Sequence, residues 1–374
     1  MSHPAHLAPA PIGGRLVNPV TITCAVLIAT ALAILAVRFF FGLGSVTHLN
    51  DGYPWGIWVV ADVVIGSAFA CGGFSVAKLV YIFNRGEYHA LVRPALLASL
   101  FGYTLAGAGG LFELGRWWIC WHILWPGYAS PNSVLFEVAA CISLYFLVMW
   151  IEFSPTFLEK WGLGELRRKL HKAMFFFIAL GTVLPMMHQS SLGSLLVVFG
   201  TQIHPLWQSI VLPLIFLLSA ITIGYAVVLF ESCLAAAGFR RSIEMHLLTP
   251  LSKIMLGMLA VFLLVRFGDL IVRGALGHAF EGSLQALMFW LETACFVAPL
   301  WLLRSEALRR NPARLRINAF LVGYQTGDGW HYFPSIPEML VTFGMFAIEV
   351  LGYIVITRRF PVLPREEHAL AGRH

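Results

Sequence analysis

Two carboxylates, Glu137 and Glu152, sit near opposite ends of an otherwise apolar stretch, residues 133–153, that is long enough to cross a bilayer. A charged side chain at the bilayer centre costs at least ~2.5 kcal/mol, so such groups face a protein interior and mark ion or proton paths. On one helix the two lie about 22 Å apart along the axis and about 60° apart around it, close to a single face. That spacing offers a proton-exchanging group near each membrane surface. The structural alternative pairs each carboxylate with an arginine of an adjacent helix.

Other ionisable groups sort by depth. Asp62, Glu113, Arg116, Glu137, His188, Arg266 and Asp269 fall toward one side of their apolar stretches, and Lys78, Arg93, Glu152, Glu231 and Glu349 toward the other. Glu113 with Arg116, and Arg266 with Asp269, are spaced i,i+3 and on a helix can pair. Neutralised pairs are how charge survives in lipid, so these residues and Arg93 carry an ion-pair reading beside a functional one. Tyr103 lies about 15 Å inside its stretch, where its hydroxyl needs a partner; with Asp62 it is the deepest polar group. The six cysteines (Cys24, Cys71, Cys120, Cys141, Cys233, Cys295) are scattered, without a Cys-x-x-Cys pair or histidines at zinc or iron–sulfur spacing. The expected metal-ligand set is therefore none, and any cluster belongs to a partner.

These groups have to be positioned by membrane helices. The chain has 374 residues, is 59% hydrophobic and only 12% charged, which excludes a soluble domain. Apolar stretches of about 20 residues fall at roughly 17–41, 54–83, 94–118, 133–153, 172–188, 208–234, 251–272, 285–303 and 336–357. The expected fold is an all-α polytopic membrane protein of nine to ten transmembrane helices. A short N-terminal tail (1–16), a transmembrane domain (17–360) and a C-terminal tail (361–374) divide the chain. The run after Arg15 is too long for a signal-peptide core and reads as an uncleaved first span.

Alternate connections are basic. Arg85 and Arg93, then Lys160, Arg167, Arg168, Lys169 and Lys172, then Arg240, Arg241 and Lys253, then Arg304, Arg309 and Arg310 mark one side as cytoplasmic. The N-terminus is expected on that side. Glu152 is then at the inner end of its span, and the cluster containing Asp62, Glu113, Glu137 and His188 is near the outer one. The net charge of +6 is explained by this asymmetry, with membrane lipids and no nucleic acid as its partner. Phe-Glu-Val-Ala-Ala-Cys ending at Cys141 and Phe-Trp-Leu-Glu-Thr-Ala-Cys ending at Cys295 hint at a repeat, hence at two tandem four-helix bundles plus flanking helices.

Four segments carry a resemblance: Leu-Leu-Ala-Ser-Leu-Phe-Gly-Tyr ending at Tyr103, Asn-Ser-Val-Leu-Phe-Glu ending at Glu137, Met-His-Gln-Ser-Ser-Leu-Gly-Ser from Met187, and His-Pro-Leu-Trp-Gln-Ser from His204. From about Gly13 to Pro364 the chain resembles the NrfD and polysulfide-reductase membrane subunits, including those of periplasmic uptake hydrogenases. The resemblance implies a quinone-reactive anchor, active only within an oxidoreductase complex. Its partners would be a periplasmic ferredoxin-like iron–sulfur subunit and the large and small subunits of a nickel–iron hydrogenase. Quinone, menaquinone or ubiquinone, would be an exchangeable substrate, and the chain itself would hold neither haem nor metal.

In this family quinone binds near the outer face, where Asp62, Glu113, Glu137 and His188 collect. His188 is expected as the direct contact, with Gln189 and Ser190 as donors, Asp62 and Tyr103 nearby, and Glu137, Glu152 and Glu113 handling protons; a helix-end cap is the structural alternative for His188. Two further readings stay open: a haem b cytochrome, which needs two axial histidines on facing helices, and a secondary ion transporter, which also uses repeats and buried carboxylates. The family pattern has ten spans. Here residues 315–324 are the only apolar run between Arg310 and Gln325, and ten helical residues reach only ~15 Å of a ~30 Å core.

Overall fold

In a computed structural model, residues 9–53, 55–241, 244–303 and 333–364 are described. The question of a crossing at 310–325, and the basic residues Arg304, Arg309 and Arg310, lie outside them. Among the described residues nine helices are long and apolar enough to span a membrane, and the extended backbone is a single β-bridge between Pro9 and Pro364. The chain is an all-α polytopic membrane protein.

The spans are α1 (Pro19–Phe41), α2 (Trp58–Ile82), α3 (His89–Glu113), α4 (Val134–Lys160) and α5 (Gly164–Phe199). They continue with α6 (Leu212–Phe239), α7 (Met245–Val272), α8 (Leu284–Leu302) and α9 (Ile336–Arg359). Local sequence sets several ends. Asn18 and Thr21 form a capping box before Pro19, and Ser335 with Glu338 forms another before Pro337. Where hydropathy reads 172–188, α5 runs to 36 residues, about 54 Å. Hydropathy marks only the membrane core, whereas helix-forming Glu165, Leu166, Arg167 and Arg168 extend the helix at one end and Leu192, Leu195 and Leu196 at the other. α2 is discontinuous: π-helical over Trp58–Ile65 and Lys78–Ile82, α-helical over Gly66–Phe69 and Gly72–Ala77, and broken at Ala70 and Cys71.

The helices form two compact units. One comprises Met1–Ser130, Ala139–Pro185 and Trp330–His374; the other comprises Pro131–Val138 and Met186–Gly329. In the first unit α9 returns to pack on α1. Small residues allow that return: a Cβ at Gly344 would collide with Ala31 Cβ and stand 3.2 Å from the Leu27 carbonyl. The same device seats α2 on α3, where a Cβ at Gly102 would lie 2.5 Å from Ala70 Cβ and one at Gly109 2.8 Å from Asp62 Cβ. Gly344→Val should cost at least ~1–3 kcal/mol by overpacking. The readout is a lower apparent Tm in detergent, and an unchanged Tm would show that α1 and α9 part freely.

On the face where α1 begins, residues 10–13 clasp residues 357–363. Ala10 N donates to Leu363 O (3.0 Å) and Gly13 N to Arg358 O (3.0 Å). Arg93 donates to Pro361 O (2.8 Å) and pairs with Glu159 (2.9 Å), which also meets Arg167 (3.4 Å). The ion-pair partner of Arg93 is thus Glu159.

Candidate functional site

At the opposite end of the first unit, three carboxylates meet the start of α2. Glu113, the last residue of α3, accepts from the Gly56 amide and from Val59 N (3.1 Å), so it caps α2 as an anion at a helix N-terminus. Glu338 is 1% exposed and accepts from Ser335 N (2.6 Å) and His48 N (3.1 Å), while its carbonyl receives Trp58 Nε1 (3.1 Å). Asp62 lies one turn beyond Trp58 in the π-helical stretch, 6% exposed, and close enough to Glu113 to interact through space. The Thr342 hydroxyl stands beside the Asp62 carboxyl, yet neither Thr342 Oγ1 nor Asp62 Oδ2 makes a hydrogen bond of normal geometry. A buried carboxylate oxygen in that state is compensated only weakly, by the hydroxyl beside it. It is placed to receive an exchangeable hydrogen-bond donor.

The expected Glu113–Arg116 pair does not form. α3 ends at Glu113 and Leu114 is extended, so no helical i,i+3 geometry exists; Arg116 is exposed and outside the ion pairs of the described residues. The cation at this end is Arg38, 1% exposed, which donates to Phe112 O (2.6 Å) and to the Leu114 carbonyl, holding the C-terminus of α3. Sorting the ionisable groups by depth passed over Arg38, although a lone arginine inside the apolar run 17–41 is a visible signal. Glu338 was also missed, although Ser-x-x-Glu at a helix start is readable.

Tyr103 is fully buried, six residues and about 9 Å along α3 from the level of Asp62. Its hydroxyl lies 4.0 Å from Cys71 Sγ at the break in α2, and its ring meets Tyr145 edge-on, centroids 4.4 Å apart. Tyr145 is seven residues before Glu152 on the same face of α4. Glu152 is close enough to Tyr145 and Tyr81 to interact through space. It packs on Gly181 of α5, where a Cβ would collide with Oε1. That Oε1 is buried without a hydrogen bond, and Glu152 is in none of the ion pairs of the described residues. The structural alternative for Glu152, an arginine of an adjacent helix, is realised instead by Glu159, which meets Arg93 of α3 and Arg167 of α5.

The second unit holds His188, Gln189 and Ser190 on α5 and Glu137 in the first turn of α4. His188 is fully buried and Gln189 is 2% exposed. Eleven residues, about 16 Å, separate His188 from the end of α5 at Phe199, so it does not cap a helix end. Ser190 Oγ donates to Met187 O (3.1 Å). Close packing at the next turn, where a Cβ at Gly193 would be 2.5 Å from Leu212 O, brings α6 onto this part of α5. The expected Arg266–Asp269 pair is replaced by two others. Arg266 binds Glu292 of α8 (2.9 Å), which also accepts from Trp207 Nε1 (3.0 Å), and Asp269 binds Arg273 (2.8 Å) at i,i+4. His204 Nδ1 accepts from Leu206 N (3.3 Å), and burial, with His278 beside it, pushes the His204 imidazole pKa down against the opposing pull of Glu281.

The chain as a whole has recognisable relatives. The family model described as polysulphide reductase, NrfD, matches residues 45–324. The chain belongs to that family. A protein of Escherichia coli (strain K12) described as a probable Ni/Fe-hydrogenase 2 b-type cytochrome subunit is 43% identical, covering 98% of each chain. The integral membrane subunit of a menaquinone reductase from Nitratidesulfovibrio vulgaris (Hildenborough) is 26% identical, covering 87% of each. A selenate reductase subunit from Mesobacillus selenatarsenatis is 25% identical over 52% of this chain and 51% of that protein.

The E. coli relative corrects the cofactor expectation. A protein so similar to this NrfD-family chain is named a b-type cytochrome subunit, and the statement that the chain holds no haem is overturned by that name. The described residues do not identify the ligands: His188 is buried inside α5, whereas His204 follows that helix, His246 lies in the first turn of α7 and His278 in the short helix after it.

Proposed function

We propose that this NrfD-family chain is the quinone-reactive membrane anchor of a hydrogenase complex in a bacterial inner membrane. Its role as a membrane anchor of a respiratory oxidoreductase is supported by the family and by the hydrogenase and menaquinone reductase relatives. Electrons come from a ferredoxin-like iron–sulfur subunit on the periplasmic side, wired to the nickel–iron large and small subunits. The N-terminus is cytoplasmic by the charge asymmetry of the loops. Quinone, menaquinone or ubiquinone, accepts two electrons and two protons, forming two O–H bonds and leaving as quinol. The buried Asp62 carboxylate with an unsatisfied oxygen carries the reading, because a proton-exchanging group of that kind suits a substrate that is hydrogen-bonded and then protonated.

Within the first unit, Asp62 and Tyr103 are the groups whose loss should affect quinone. Glu152 is the proton entry and Glu137 a delivery point, as its place in the first turn of α4 allows. Within the first unit Tyr145 and Tyr103 stand between Glu152 and Asp62, with gaps that bridging water must close. Glu113, with its oxygens committed to amides of α2, acts as a positioning group for Asp62.

The test compares membranes with and without the chain while the other subunits are present. Hydrogen-dependent quinone reduction should require the chain, and reduction of a soluble dye should not. Solute flux independent of quinone would overturn the reading in favour of a transporter. A second reading, a haem b cytochrome, is favoured by the E. coli relative's name; a Soret band with stoichiometric iron in the purified chain would establish it.

A further inference from the structure

The start of α5 projects from the membrane core on the face where α4 ends. The last residue of α4 and the first three turns of α5 carry Lys160, Arg167, Arg168, Lys169 and Lys172, all exposed. Their acidic neighbours are already engaged: Glu159 meets Arg93 and Arg167, and Glu165 binds Arg168 at 3.0 Å. Lys160, Lys169 and Lys172 are outside the ion pairs of the described residues. Around the helix, Lys169, Lys172 and Phe176 fall within a strip about 60° wide, with Phe176 about 6 Å deeper than Lys172 and Lys169 a further turn toward water. Phe175 beside the strip is 84% exposed and Phe176 60%.

We infer that the strip of Lys169, Lys172 and Phe176, with Phe175 beside it, binds an anionic phospholipid, its phosphate against the two lysines and its acyl chain over the two phenylalanines. The occupant follows from the vertical order of the groups. Juxtamembrane lysines attract anionic headgroups, about 1 kcal/mol each near a charged surface, and long lysine stems reach that level from a helix end. A soluble anion could satisfy the lysines and would leave the phenylalanines uncovered. A hydrocarbon chain continuous with the phosphate covers both.

Native mass spectrometry of the purified full-length chain, supplied with equal phosphatidylglycerol and phosphatidylcholine, tests this. Phosphatidylglycerol should be retained preferentially, and Lys169→Gln with Lys172→Gln should weaken its binding about 30-fold, roughly fivefold for each lysine. The pair Lys169→Arg and Lys172→Arg should keep it, which separates lost charge from lost folding. Phe175→Ser with Phe176→Ser should weaken the lipid and not glycerol phosphate. Equal retention by the Gln pair, or displacement of the lipid by glycerol phosphate at matching concentration, would overturn the inference, the latter assigning the lysines to free phosphate.

Discussion

Asp62→Asn lowers hydrogen-dependent quinone reduction by about 100-fold or more, the scale on which a positioned acid or base acts, and leaves dye reduction by the soluble subunits at its wild-type rate. The substitution preserves size and hydrogen-bonding capacity, and the carboxylate it replaces is in none of the ion pairs of the described residues. Assembly should therefore be unchanged, so the effect isolates proton exchange. Its surroundings sharpen the expectation. Glu113 is occupied with the Gly56 and Val59 amides and Glu338 with the Ser335 and His48 amides, so neither can replace Asp62 without uncapping α2 or α9. A mutant that reduces quinone at the wild-type rate would place the substrate elsewhere.

Glu152→Gln slows quinone reduction by at least about tenfold if protons enter at this residue, again with assembly unchanged. If hydrogen releases its protons outside and quinone takes its protons from the cytoplasm through Glu152, turnover charges the membrane. An uncoupler should then accelerate hydrogen oxidation in sealed vesicles and do nothing after detergent solubilisation. The variant should lose both rate and uncoupler response. Normal turnover with a normal uncoupler response would make Glu152 a packing partner of Gly181 and nothing more. Its Oε1 has no hydrogen bond, so no broken ion pair can mimic the effect, in contrast to Glu292, which holds both Arg266 and Trp207.

How much of this was legible depends on range. The spans could be read because burial in lipid is decided over about 20 consecutive residues, and the cap at Ser335 because its partner is three positions away. Ion-pair partners could not. Local spacing joins Arg266 to Asp269, yet Arg266 reaches across to Glu292 on α8, since a long side chain chooses among neighbours that only helix packing supplies. Glu113 failed to pair with Arg116 because the helix stopped at Glu113, and the signal for that stop lies in the amides of another segment.

By itself the sequence determined an all-α membrane chain with acidic groups at both depths and the family to which it belongs, because hydropathy and short motifs are local properties. Tertiary structure alone decided that α2 breaks at Ala70 and Cys71 against the small face of α3, that α9 returns to α1 through Gly344, and that His188 is interior to α5. It also decided that Asp62 and Glu152 keep an oxygen unsatisfied while Glu113, Glu159, Glu292 and Glu338 do not. Every carboxylate in the sequence looks alike; the difference is whether another helix brings a donor within about 3 Å of it.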